Sequence, residues 1–149
     1  MLEITVDDRA LLAALQRLQQ RMGNLRPVMR GIATELEARV EQRFELEVDP
    51  NGRRWKELHP ETIKRKKRKT AILYDSGDMQ GSLTSAAGPT WAQVGFGQPY
   101  AAYHEWGTRH MPRRGLLLGN VNAGTLGAGD RDAVLELLSE FLEDQIGGL

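Results

Sequence analysis

The sequence predicts an α+β domain in which amphipathic helices pack on a small, mostly antiparallel sheet. Three observations lead there. Three stretches carry apolar residues every three or four positions. Residues 92–96 instead alternate apolar and polar, the period of a half-buried strand. Between that strand and the last helix runs a long glycine-bearing segment with no periodicity of either kind.

The elements follow in order. Leu2-Glu3-Ile4-Thr5-Val6 alternates and is β-branched, so it reads as a short strand. Asp7 or Asp8 caps the next helix, whose stripe is Leu11, Leu15, Leu18 and Met22, and Gly23-Asn24 ends it. Pro27 suits the first turn of a second helix with the stripe Val28, Ile32, Leu36, Val40 and Phe44. Asp49-Pro50-Asn51-Gly52 is a strong turn signal after it. Residues 60–68 read as a short polar helix, and Asp75 or Ser76 caps another containing Met79 and Leu83. Ala92, Val94 and Phe96 form the second arm of a hairpin whose first arm lies near 82–87. Tyr100 to Trp106 is aromatic-rich and stops at Gly107. Asp130 caps the last helix, with Val134, Leu135, Leu138, Phe141, Leu142 and Ile146 inward and Asp132, Glu136, Glu140, Glu143 and Asp144 outward.

The 149 residues, 40% hydrophobic and 27% charged, fit one domain spanning 1–149. The absence of cysteine excludes disulfides, thiol nucleophiles and thiolate metal sites. No apolar run approaches the roughly 20 residues that span a bilayer, and the opening octet lacks the basic head and apolar core of a signal peptide. The expectation is therefore a soluble protein made in the cytoplasm, with no membrane partner.

A net charge of zero hides a split. Residues 53–69 hold nine basic groups (Arg53, Arg54, Lys56, Lys64, Arg65, Lys66, Lys67, Arg68 and Lys69) and two acids, a net +7 balanced by −7 elsewhere. Such a block can attract nucleic acid or an acidic protein face, including one on another copy of the chain. No aromatic residue interleaves with the lysines to stack on bases.

Catalytic patterns are missing. Ser76, Ser82 and Ser85 lack a nucleophile elbow, and there is no phosphate-cradling glycine loop or Walker lysine. His104-Glu105 and His110 invite a zinc reading, but the histidines are six apart with Gly107 between, where a zinc helix needs four. Packing and hydrogen bonding within an aromatic cluster explain them as well. The expectation is no catalytic residue, no metal and no cofactor.

Residues 107–128 contain five of the 16 glycines together with Met111-Pro112-Arg113-Arg114-Gly115-Leu116-Leu117-Leu118. Three consecutive leucines in a loop need burial, either on a neighbouring subunit or on the chain's own core. The first alternative makes 107–128 an extended interaction arm.

Trp55-x-x-Leu58 is followed by Thr62 and a lysine-rich stretch, then Ile72-Leu73-Tyr74-Asp75-Ser76-Gly77-Asp78-Met79-x-x-Ser82-Leu83. Val94-Gly95-Phe96-Gly97, Tyr100-Ala101-x-x-His104-Glu105-Trp106-Gly107-Thr108 and Met111-Pro112-Arg113-Arg114-x-Leu116-Leu117 complete the series over nearly the whole chain. In this order the motifs resemble the phage virion morphogenesis family, also called tail completion proteins. Gly115-Leu116-Leu117-Leu118 departs from the pattern, which has an aromatic residue after the Pro-Arg motif. The resemblance implies a non-enzymatic tail terminator or neck protein without a cofactor. It would sit in the virion at the tail or head–tail junction as a hexameric ring. Its partners would be tail-tube and head–tail connector proteins, with non-specific contact to channel DNA.

A ring needs two different patches that meet between copies. The basic block facing the acidic 130–144 helix supplies one such pair. Trp106, Met111, Arg113, Arg114, Leu116, Leu117 and Leu118 are the candidate interface residues of the arm. The competing reading is a nucleic-acid-binding module that uses the basic block.

Overall fold

The computed structural model describes residues 8–65, 72–73, 78–98 and 100–147. Helix α1 (Arg9–Met22) starts where Asp8 accepts from the amides of Ala10 and Leu11 at 3.0 and 3.3 Å. Those amides are among the donors that a first turn leaves unpaired, and the aspartate oxygen satisfies them. Arg131 donates to the other oxygen of Asp8 at 2.7 Å, and this bond holds the Asp8 carboxyl below the usual carboxylate range.

Helix α2 (Arg26–Leu46) opens with proline in its first turn. It ends on Glu47, whose left-handed backbone (φ 55°) turns the chain away. The expected turn then closes: Asp49 Oδ1 accepts from the amides of Asn51 and Arg53 at 2.8 and 3.0 Å. Helix α3 (Pro60–Arg65) covers the described part of the predicted polar helix, and α4 (Asp78–Gly81) is a single turn. Strands β1 (Leu83–Ala87) and β2 (Ala92–Phe96) form an antiparallel hairpin, Leu83 opposite Phe96 and Ala87 opposite Ala92. Helix α5 (Ala101–Trp106) and helix α6 (Ala128–Gly147) follow. The architecture is α+β, as the sequence predicts. The predicted strand at 2–6 lies outside the described residues.

Helix α2 is the centre of the molecule: the hairpin packs on it, α6 packs on it, and α1 packs on α6. Its long apolar stripe serves two cores in series. Val28, Met29 and Ile32 meet Leu18, Val134 and Leu138, closing the α1–α2–α6 layer. Val40 and Phe44 meet Trp55, Ile72, Met79, Phe96, Ala101 and Leu116. The Phe44 ring stands edge-on to both Trp55 and Phe96, at 6.0 Å in each case, the geometry that aromatic quadrupoles favour.

One expectation fails at α6. Asp130 does not cap this helix. The helix begins at Ala128, and Asp130 lies in its first turn, 1% exposed. A carboxylate so buried needs charged partners. Arg39 Nε donates to its Oδ1 at 2.6 Å, and Arg43 donates to the same oxygen. Among the described residues no helix is long and apolar enough to cross a membrane.

Candidate functional site

The second core ends on an unusual structure built around Glu105. Helix α5 lasts only six residues because Gly107 takes φ 76°, and a Cβ there would lie 2.9 Å from the Arg113 amide nitrogen. Glycine alone permits both the backbone angle and the approach. Thr108 and Met111 then pair in a tight bridge, and the chain turns back along α5 until the Arg114 amide donates to the His104 carbonyl at 2.9 Å.

This return brings three successive amides onto one carboxylate. Glu105 Oε2 accepts from Leu116 and Leu117 at 2.8 and 3.0 Å, and Oε1 accepts from Leu118 at 2.8 Å. Arg113 adds a fourth donor at 3.3 Å, while its Nε donates to the Glu105 carbonyl at 2.7 Å. Glu105 is itself 1% exposed. The burial is tolerable because the charge meets a guanidinium and a full set of N–H donors.

The same loop is tied down from the other side. Trp55 Nε1 donates to the Gly115 carbonyl at 2.9 Å and Arg43 Nη1 to the Leu116 carbonyl at 2.6 Å. Arg114 donates to the carbonyls of Lys56 and Glu57 at 2.8 and 3.1 Å. Farther along, Asn51 Nδ2 donates to the Gly119 carbonyl at 2.9 Å. A Cβ on Gly119 would meet Gly127 Cα at 2.5 Å, so two backbones cross there without room for a side chain.

These contacts correct the arm expectation. Leu116 and Leu118 are 1% and 2% exposed within their own chain, and Leu117 is half-buried against the Phe44 core. Arg114 is buried and Arg113 is spent on Glu105. The segment 107–127 is thus a loop docked on its own domain, and its leucines are not free anchors. Of the seven candidate interface residues, Trp106 stays exposed at 44%, and Met111 and Leu117 are half-buried. The missed residue was Glu105. An acid inside an aromatic-rich segment, followed by two arginines and a leucine run, was the signal available for a buried carboxylate.

Glu105 is also unsuited to a metal, because its oxygens are filled by N–H donors. His104 stacks edge-on to Tyr100 at 6.4 Å, and burial, reinforced by nearby Arg114, pushes its pKa below the usual value. His59 and His110 are exposed elsewhere. A groove of about 600 Å³ lies between α1, α2 and β2. Its described lining is mostly aliphatic, and its charged member, Asp8, is held by Arg131.

Part of the charge split falls on described residues, where exposed Glu57 and Glu61 stand among the cations. Arg53, Arg54, Lys56 and Lys64 are exposed. Arg54 approaches Glu47 at 3.9 Å, and no ion pair holds the other three among the described residues. Arg65 ends α3, while Lys66, Lys67, Arg68 and Lys69 lie outside the described residues. On α6, Asp132, Glu136, Glu140, Glu143 and Asp144 are all exposed. None of them forms an ion pair among the described residues.

The model of the phage virion morphogenesis family matches residues 6–143. Mu-like prophage FluMu G protein 2 of Haemophilus influenzae is 35% identical over 108 residues, which cover 72% of this chain and 71% of that protein. Mu-like prophage FluMu G protein 1 of the same organism is 27% identical over 149 aligned residues, covering 96% of this chain and 99% of that one. No solved structure matches. With a family match running from before α1 to the last turns of α6, and the ordered motifs all inside it, this chain belongs to the phage virion morphogenesis family.

Proposed function

We propose that this chain is a non-catalytic structural protein of a tailed-phage virion that completes or terminates the tail and joins it to the head at the neck. It acts as a closed ring, a hexamer by analogy with similar neck proteins, between tail-tube and head–tail connector proteins. Family membership carries the assembly role. The observation that favours a ring is the pair of oppositely charged groups exposed on one chain: the α6 acids and Arg53, Lys56 and Lys64, none of which forms an ion pair among the described residues. A patch that meets a different patch on the next copy closes into a ring when the rotation permits.

The basic block has a second use open to it, non-specific contact with phosphates of channel DNA. One variant separates the two. Replacing Lys64, Lys66 and Lys67 with glutamine removes three charges, each worth up to about 1 kcal/mol in a contact. Under the ring reading, association between copies weakens by as much as roughly a hundredfold, and particles lose their tails or neck. Normal rings in particles that fail only when DNA passes would assign the block to DNA. Normal particles of full infectivity would remove the block from either role.

A further inference from the structure

We infer that the aromatic ridge Tyr100–Tyr103–Trp106 is the apolar centre of the contact between copies, and that it docks on the acidic face of α6 in the next copy. This rests on the ring reading above and names the surfaces that close the ring. The three side chains are 38%, 59% and 44% exposed. Single exposed aromatics are ordinary, but these recur every third residue along one short helix and its cap, so they form one continuous patch. Together they leave roughly 300 Å² of aromatic surface in water, enough for the centre of an interface that needs about 800 Å² per partner.

The ridge is also held rigid. Glu105, between Tyr103 and Trp106, is clamped to the loop by four donors on its side chain. A patch fixed before contact loses little conformational freedom on binding.

Charge selects the partner. Arg109 lies three residues beyond Trp106, past the turn at Gly107, and is exposed. Exposed Lys56 is tied to the same helix through Arg114, which bonds the Lys56 carbonyl and the His104 carbonyl together. Arg114 bonds the carbonyl of exposed Glu57 as well, so the rim offers two cations, Lys56 and Arg109, beside one acid; neither cation forms an ion pair among the described residues. The surface that complements it is the row Asp132, Glu136 and Glu140 on α6, bordered by Leu135, which is half-buried and belongs to neither core cluster. Nucleic acid fits the ridge less well: a DNA duplex keeps its bases stacked, out of reach of exposed aromatics.

A charge swap tests the pairing in assembled particles. Lys56→Glu with Arg109→Glu, and separately Glu136→Lys with Glu140→Lys, are each expected to lower incorporation of the protein at least tenfold. All four side chains are exposed, so thermal melting of each variant should match the parent. Combining the four changes in one chain is expected to restore incorporation to within about threefold, because each face then meets its new opposite. Tyr103→Ala with Trp106→Ala should fail to incorporate, and no charge change should rescue it. Failure of the combined variant overturns the pairing, as does normal incorporation of the aromatic double variant. A combined variant worse than either parent, with DNA passage lost, would assign the cationic rim to DNA instead. Particles carrying a single copy of the unaltered protein would refute the ring itself, a result distinct from all of these.

Discussion

Replacing Glu105 with alanine is expected to lower the unfolding free energy by about 3–5 kcal/mol, the range for removing one member of a buried charge pair. Three amides, of Leu116, Leu117 and Leu118, would lose their acceptor, and Arg113 would lose its carboxylate. Each buried donor left unpaired costs about 1–3 kcal/mol, and relaxation of the loop toward water keeps the total below their sum. Glu105→Gln retains one acceptor oxygen but no charge, so its loss should fall between the parent and alanine. Urea unfolding followed by tryptophan fluorescence measures both variants. Trp55 bonds to Gly115 in the same loop, so it also reports local release before global unfolding. A loss under about 1 kcal/mol for alanine would mean the loop is held by its leucines alone.

The second large effect belongs to Asp130. Asp130→Ala would strand Arg43, whose side chain is 7% exposed, and leave Arg39 without its shorter contact. The expected loss is again about 3–5 kcal/mol. Arg43 also donates to the Leu116 carbonyl, so the change reaches the loop that Glu105 organises. The pair Asp130→Ala and Arg43→Met should be less costly than the sum of the two single changes by more than about 1 kcal/mol, since the double variant buries no unmatched charge. Strict additivity in chemical denaturation would contradict the network.

Much of the fold was legible because it depends on local pattern. The α1 and α2 stripes, a cap at Asp7 or Asp8, the turn at Asp49–Gly52 and the hairpin all come from residues near one another in sequence. What was illegible depends on distant partners. Asp130 stands where a cap should, in front of an amphipathic stripe, and only the packing of α2 against α6 shows that two arginines 91 and 87 residues away claim it. Glu105 is similar. Its donors lie 8 to 13 residues on, in a stretch with no periodicity to reveal them. The leucine run was ambiguous for that reason: burial was certain from composition, but the burying surface was not. Trp106 was visible as an interface candidate, whereas Tyr100 and Tyr103 gained meaning only once α5 placed them beside it.

The interior ionic clamps fix the loop to one end of the domain, and Tyr103, Trp106 and Arg109 are exposed there. The opposite charge lies on α6. Such a chain is suited to being covered by its own copies.

Electron-microscopic reconstruction of intact particles tests this most directly. The account predicts a closed ring of several copies where the tail meets the head, with α5 of each copy against α6 of the next. Complete, infectious particles assembled without this chain would contradict it.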